Sequence, residues 1–322
     1  MLRKTLLNTL LLALLTACAP QAEQTEVFTT QPPPAESTVG ATQAISFPAF
    51  FTDGLGRRAD LAQAPKRIVS LAPSNTEILY AVGADSQVVG RDEFSDYPEK
   101  AKSVDSVGGS MGQYSVEAIV ALKPDLVLAA EINTPELVKQ LEDLGLTVYY
   151  LKNPTTLEEM YVNLDVVGKL TGHDVTKLVT SLKARVAAVD QKIMPLSSRI
   201  PVFYEIDATD AAKPYTYGPG TFGDLLIQRA GGYNIGSIAS DPYPQISIEQ
   251  VVAANPSVII LGDSMWGVTP ESVKQRAGWE TIPAVASNSI FPFDDNLVSR
   301  PGPRLVDGLE QLAKLLRPEL FK

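Results

Sequence analysis

The sequence predicts an α/β protein of two similar β/α lobes, each built on a parallel sheet, with a helical segment joining them. Three observations carry this. Short apolar runs alternate with helical patterns in both halves of the chain. The middle, from about Thr156 to Ile193, has helical spacing and almost no strand character. One stretch of the first half recurs in the second.

In the first half, Arg67-Ile68-Val69-Ser70-Leu71 is an apolar run stopped by Pro73, which reads as a buried strand. Ser74 is the expected N-cap of a helix over 76–82 that Gly83 ends. Val88-Val89-Gly90 reads as the next strand. Ser115 caps a helix running to about Leu122, Pro124 ends it, and Leu126 to Ala130 is a further buried strand. A helix over 135–144, with Leu137, Leu141 and Leu144 on one face, stops at Gly145, and Val148-Tyr149-Tyr150-Leu151 closes the series. Strands alternating with helices in this way imply parallel β/α units.

The middle segment places Leu157, Met160, Tyr161, Leu164 and Val167, then Leu178, Leu182, Val186, Val189 and Ile193, at helical spacing. Gly168 and Gly172 interrupt it, so one long helix or two in sequence join the lobes. After Pro195 the alternation resumes: a strand over 201–206, a helix over 221–230 ended by Gly231-Gly232, a helix from Ser247 to Ala254, a strand over 258–261, and a last helix over about 304–316.

The recurrence is between Val116-Glu117-Ala118-Ile119-Val120-Ala121-Leu122-Lys123-Pro124 with the strand after it and Ile248-Glu249-Gln250-Val251-Val252-Ala253-Ala254-Asn255-Pro256 with its own. Glu, Val, Ala and Pro match in place, most other differences exchange one branched apolar residue for another, and each copy follows a serine cap. Two versions of one lobe leave a cleft between them, and clefts between domains are where ligands bind.

The chain of 322 residues, 45% hydrophobic, has the length for two such lobes. Arg3-Lys4, an apolar stretch from Leu6 to Leu15 and Leu15-Thr16-Ala17-Cys18 read as a signal peptide over 1–17 that ends in a lipobox-like sequence, with Cys18, the only cysteine, as the lipidated residue. A run this short is not a membrane-spanning helix, and an anchor of more than one acyl chain holds a protein stably at a membrane. Removing Arg3 and Lys4 with residues 1–17 takes the net charge from -10 to -12, which argues against nucleic acid. Residues 18–45, with Gln31-Pro32-Pro33-Pro34, lack the apolar content to fold and read as a tether. The expected divisions are then a first lobe over 46–153, the connector over 154–195 and a second lobe over 196–322.

Several residues invite a functional reading. Glu117 and Glu249 fall at the second position of matching helices, where a carboxylate complements the helix dipole and where a pair, one per lobe, also suits docking onto basic residues of a partner. Aromatic residues gather in loops: Tyr97, Tyr114, Tyr215, Tyr217, Tyr243, Trp266, Phe291 and Phe293. Loop aromatics at the ends of parallel strands suit a large, flat, partly apolar ligand, or else cover local core. Arg300 reads as a surface turn or as a cleft-edge contact to a polar ligand group. With His173 the only histidine, a zinc or manganese site built by the protein is not expected, and no cofactor-binding motif occurs. Gly262-Asp263-Ser264 resembles the nucleophile motif of some lipases, the one hint of a surface hydrolase, but it lacks a histidine in a later loop.

Arg67 to Glu77, Ser95-Asp96-Tyr97-Pro98, Ile119 to Val127 and Pro244 to Val251 resemble the solute-binding proteins of cobalamin and iron-siderophore ABC importers, most of all the cobalamin-binding branch, over about residues 50–320. The resemblance implies a class III solute-binding fold, two lobes joined by a long rigid helix, and no enzyme activity. It implies a monomer, lipid-anchored on the extracytoplasmic face, that delivers a corrinoid or a similar large metal chelate, such as a ferric siderophore or haem, to a permease and its ATPase. Glu117 and Glu249 fall where the family's docking glutamates fall. Tyr97, Tyr215 and Tyr243 fall on aromatic ligand contacts, and Arg300 on a polar one. Tyr243 stands where a tryptophan is expected, Gly109-Ser110-Met111-Gly112 lacks the aromatic expected nearby, and Asn296 aligns with an expected aspartate, with Asp295 adjacent.

Overall fold

The structure, a computed structural model, describes residues 46–322. The signal peptide over 1–17, the lipidation at Cys18 and the tether over 18–45 lie outside the described residues.

The described chain begins with a hairpin that has no counterpart in the expectations: β1, Ala49–Thr52, pairs antiparallel with β2, Arg58–Leu61. Asp53 makes its turn, because its Oδ1 accepts from the backbone N–H of Leu55 at 2.9 Å and of Arg57 at 2.8 Å. The first lobe follows as β3 (Ile68–Ser70), α1 (Pro73–Ala81), β4 (Val88–Arg91), α2 (Val116–Ala121), β5 (Leu126–Ala130), α3 (Pro135–Asp143) and β6 (Val148–Leu151). The cap expected at Ser74 is displaced: Ala72 is the cap residue, and Pro73 occupies the first turn, where its missing N–H costs nothing.

The connector is two helices. α4, Leu157–Thr171, ends at Gly172, whose φ of 82° only glycine adopts without strain, and α5 runs over Thr176–Ile193. The second lobe is β7 (Ile200–Glu205), α6 (Phe222–Arg229), β8 (Gly232–Asn234), α7 (Ile248–Ala254), β9 (Val258–Leu261), α8 (Pro270–Lys274), α9 (Pro283–Ala286), β10 (Ile290–Pro292), α10 (Asn296–Ser299) and α11 (Leu305–Leu316).

Both sheets are four-stranded and parallel, ordered β4-β3-β5-β6 and β8-β7-β9-β10. In each the second strand precedes the first, then come the third and fourth, so the sequence repeat is a repeat of topology. The recurring stretches are α2 with β5 and α7 with β9, the same step of each lobe. Ser115 caps α2 by accepting from the Ala118 N–H at 3.2 Å, and Ser247 caps α7 by accepting from the Gln250 N–H at 3.3 Å.

The central strands of the two parallel sheets are largely apolar because both of their faces are covered. Ile68, Leu126 and Leu128 face a large core that continues through Leu164, Leu182 and Val186 into Val202, Leu309 and Leu312. Val69, Val127 and Ala129 point the other way onto Val138 and Leu141, and Phe203, Ile259 and Leu261 likewise onto Trp279. One core therefore runs through α4, α5 and α11 and ties the two lobes together.

Candidate functional site

Parallel strands leave their helix-bearing loops at one edge, and here the carboxyl edges of both sheets contribute to a common cleft. Two adjoining hollows form it, of about 230 and 190 Å³. The first lobe supplies Ala72-Pro73-Ser74 after β3, Glu131 and Ile132 after β5, and Lys152 to Thr155 after β6. The second lobe supplies Tyr217, Gly220 to Phe222, Pro242, Tyr243 and the turn from Val298 to Pro301. Asn153, Ser299 and Pro301 border both hollows.

Of the aromatic candidates, Tyr217 and Tyr243 line the cleft, with ring centroids 6.1 Å apart. They differ in role. Tyr217 is only 2% exposed and its hydroxyl donates to Asp295 Oδ1 at 2.8 Å, while Tyr243 is 56% exposed and offers its ring to a ligand. Tyr204 donates to the same oxygen at 3.0 Å and meets the Tyr217 ring edge-on. Burial holds both phenols well above their ordinary pKa, and burial also raises that of Asp295 against the hydrogen bonds it accepts. Gly223 is required beneath this group, because a Cβ there would run into the Tyr217 ring.

Tyr215 sits beside the cleft in a short ladder, bridged to Asp207 and to Gln245. Tyr114 is part of the first lobe's framework: its hydroxyl lies 2.7 Å from the Leu71 carbonyl oxygen and 2.9 Å from Asp92 Oδ2, and burial raises its pKa. Trp266 is 77% exposed at the end of the 3-10 turn after β9 and borders neither hollow.

Tyr97 and Arg300 belong to a junction between the lobes. Arg300 borders the smaller hollow, but its guanidinium turns to the first lobe: Nη1 donates to Asp96 Oδ1 at 2.7 Å and Glu77 Oε1 at 3.1 Å, and Nη2 to the Phe94 carbonyl at 3.2 Å. Arg304 donates from Nε to Glu77 Oε2 at 2.8 Å and from Nη2 to Oε1 at 2.5 Å. Its guanidinium lies 4.0 Å from the centre of the Tyr97 ring. Sequence reasoning missed Glu77 and Arg304. Their signal was a glutamate directly before the apolar Ile78 and Leu79, and two arginines four residues apart.

Glu117 and Glu249 are exposed at the starts of α2 and α7, and neither forms an ion pair among the described residues. Ser115 Oγ donates to Glu117 Oε2 at 3.4 Å. The Ser247 hydroxyl and its own backbone N–H hold Glu249 below the usual carboxylate pKa. A helix that follows a parallel strand begins at that strand's carboxyl edge, so both carboxylates stand on the same edge of their sheets as the cleft loops.

The Ser264 hydroxyl donates to the Phe293 carbonyl at 3.3 Å, and His173 sits in the turn between α4 and α5, beside Gly83 of the first lobe. Among the described residues no group of three or more His, Cys, Asp or Glu side chains could hold a metal ion, and no helix is long and apolar enough to cross a membrane.

Duplicated β/α lobes around an aromatic cleft are the architecture of a solute-binding protein. Residues 68–297 match the periplasmic binding protein family, and the chain belongs to that family. The uncharacterized ABC transporter substrate-binding lipoprotein YvrC of Bacillus subtilis is 33% identical over 281 residues, 86% of this chain and 88% of the relative. A cobalamin-binding protein of Halobacterium salinarum is 30% identical over 291 residues, 88% of this chain and 78% of the relative. The structure of the periplasmic heme-binding protein RhuT from Roseiflexus superposes with a TM-score of 0.69 at 26% identity, covering 79% of this chain and 99% of that one.

Proposed function

We propose that this chain, the substrate-binding component of an ABC importer, captures a corrinoid such as cobalamin between its lobes and hands it to a permease coupled to an ATPase. The observation that carries this reading is the shared edge. The cleft loops and the two exposed, duplicated glutamates, Glu117 and Glu249, stand on the same side of the sheets, so one partner surface can hold both carboxylates while facing the cleft mouth. Tyr243, with Tyr215 beside it, supplies the exposed aromatic surface that packs against a flat macrocycle. The similarity to the Halobacterium cobalamin-binding protein over most of both chains favours a corrinoid. A lipid on Cys18 holds the protein, as a monomer, at the extracytoplasmic face of the membrane. Ser264, whose hydroxyl donates to the Phe293 carbonyl, has no part in this reading.

A ferric siderophore or haem is the second reading, favoured by the likeness to the heme-binding structure. Calorimetric titration of the chain from residue 18, carrying Cys18→Ser, separates them, with cyanocobalamin, haem and a ferric hydroxamate run in parallel. Tight one-to-one binding of cyanocobalamin alone is the expected result. Binding of haem or the hydroxamate without cyanocobalamin overturns the corrinoid reading and keeps the importer. Hydrolysis of a model ester that Ser264→Ala abolishes would overturn the importer as well.

A further inference from the structure

The junction around Glu77 bears on how wide the cleft stands. The carboxylate of Glu77 is almost fully buried on α1 of the first lobe, and both arginines that reach it come from the second. They bound the five-residue stretch Arg300-Pro301-Gly302-Pro303-Arg304, in which two prolines restrict the backbone. Gly302 lies against α1, where a Cβ would sit 3.7 Å from the Ser74 carbonyl oxygen. Glu77 and Asp96 of the first lobe face the two arginines, Asp294 of the second lobe adds a carboxylate 3.7 Å from Arg304, and Arg304 also contacts the Tyr97 ring. A buried pair of this kind holds its geometry tightly, because separating the partners leaves a charge unpaired away from water. Pro301 and Arg300 also border the cleft, as do Pro73 and Ser74 next to Glu77 on α1. The ion pairs and the cleft walls are therefore parts of the same two segments.

We propose that Glu77 is a positioning residue of the cleft: by holding Arg300 and Arg304 across the lobe boundary it fixes the separation of the two cleft walls. Its bearing on ligand binding rests on the interlobe cleft being the ligand site, whereas the separation of the lobes can be read without ligand.

The test uses the chain from residue 18 with Cys18→Ser and spin labels at Glu136→Cys and Glu271→Cys, exposed positions on α3 and α8 in different lobes. The unaltered junction should give one narrow interlobe distance. Glu77→Gln should broaden it and shift it longer, and should raise the cyanocobalamin off-rate on the order of tenfold. Arg229→Gln breaks a different ion pair, to Asp190, that does not cross from lobe to lobe, and should leave the distance unchanged. Should Glu77→Gln not fold, Asp96→Asn, which removes the more exposed acceptor of Arg300, should broaden the distance to a lesser degree. An unchanged distance in a folded Glu77→Gln, or in Asp96→Asn where the first does not fold, overturns the proposal, as does equal broadening by Arg229→Gln. Broadening without binding of any ligand would uphold the junction and remove the ligand site.

Discussion

Lys123 and Asn255 share a left-handed backbone, φ 47° and φ 54°, at matching helix ends, each directly before a proline. The duplication thus extends from topology to a single backbone angle. Asparagine tolerates this region, whereas lysine has only its Cβ clash there. Lys123→Gly should raise stability by about 1 kcal/mol, and Asn255→Gly should change it by only about a few tenths. Urea unfolding of both variants checks this, and an equal effect at the two sites would contradict it.

Tyr217, a buried residue that borders the cleft, donates its hydroxyl to Asp295. Tyr217→Phe keeps the ring and removes one of the two phenol donors to a carboxylate away from water, and should cost about 1–3 kcal/mol. Because the ring that borders the cleft survives, ligand affinity should fall far less than stability. A thermal melt beside a ligand titration reads both, and a variant as stable as the parent would contradict the role given to the hydroxyl.

Asp263 is only 3% exposed, and neither of its carboxylate oxygens has a hydrogen-bond partner. Burial first, and then the neighbouring Glu205 carboxylate, raise its pKa from the ordinary 3.8 to about 7, while the Arg276 cation opposes them. Glu205 itself is held by Arg276 at 2.5 and 2.7 Å. Between those two pKa values the folded chain binds the Asp263 proton better than the unfolded chain does. Its contribution to stability is therefore largest on the acid side and falls as pH rises from about 4 through 7. Asp263→Asn should remove that decline, so the stability difference, variant minus parent, should grow over the same interval. Urea unfolding at a series of pH values measures it, and parallel curves for the two proteins would contradict the account.

Much of the fold was legible in the sequence because buried parallel strands are continuous apolar runs. Leu126 to Ala130 and Val258 to Leu261 announce themselves in this way. The strands that escaped lack such runs: Gly232-Tyr233-Asn234 and Ile290-Phe291-Pro292 have three residues each, and they lie at the sheet edges. The opening hairpin escaped because Asp53, not an apolar pattern, makes its turn. Within the site, the loop position of Tyr243 was readable from its flanking prolines. The contrast between buried Tyr217 and exposed Tyr215 was not, since both sit in one Pro/Gly-rich loop and only the approach of α6 and Asp295 separates them. The junction of Glu77 with Arg300 and Arg304 joins residues more than two hundred positions apart, and no local pattern reports such a pair.

The most direct test of the account is ATPase stimulation of the matched permease in liposomes. Glu117→Ala with Glu249→Ala should leave ligand affinity unchanged, and should change stability by no more than about 1 kcal/mol per site, the worth of a first-turn carboxylate. The loaded double variant should nonetheless fail to stimulate the ATPase, with each single variant intermediate. Full stimulation by the double variant would contradict docking through the duplicated glutamates, and with it the observation on which the proposed function rests.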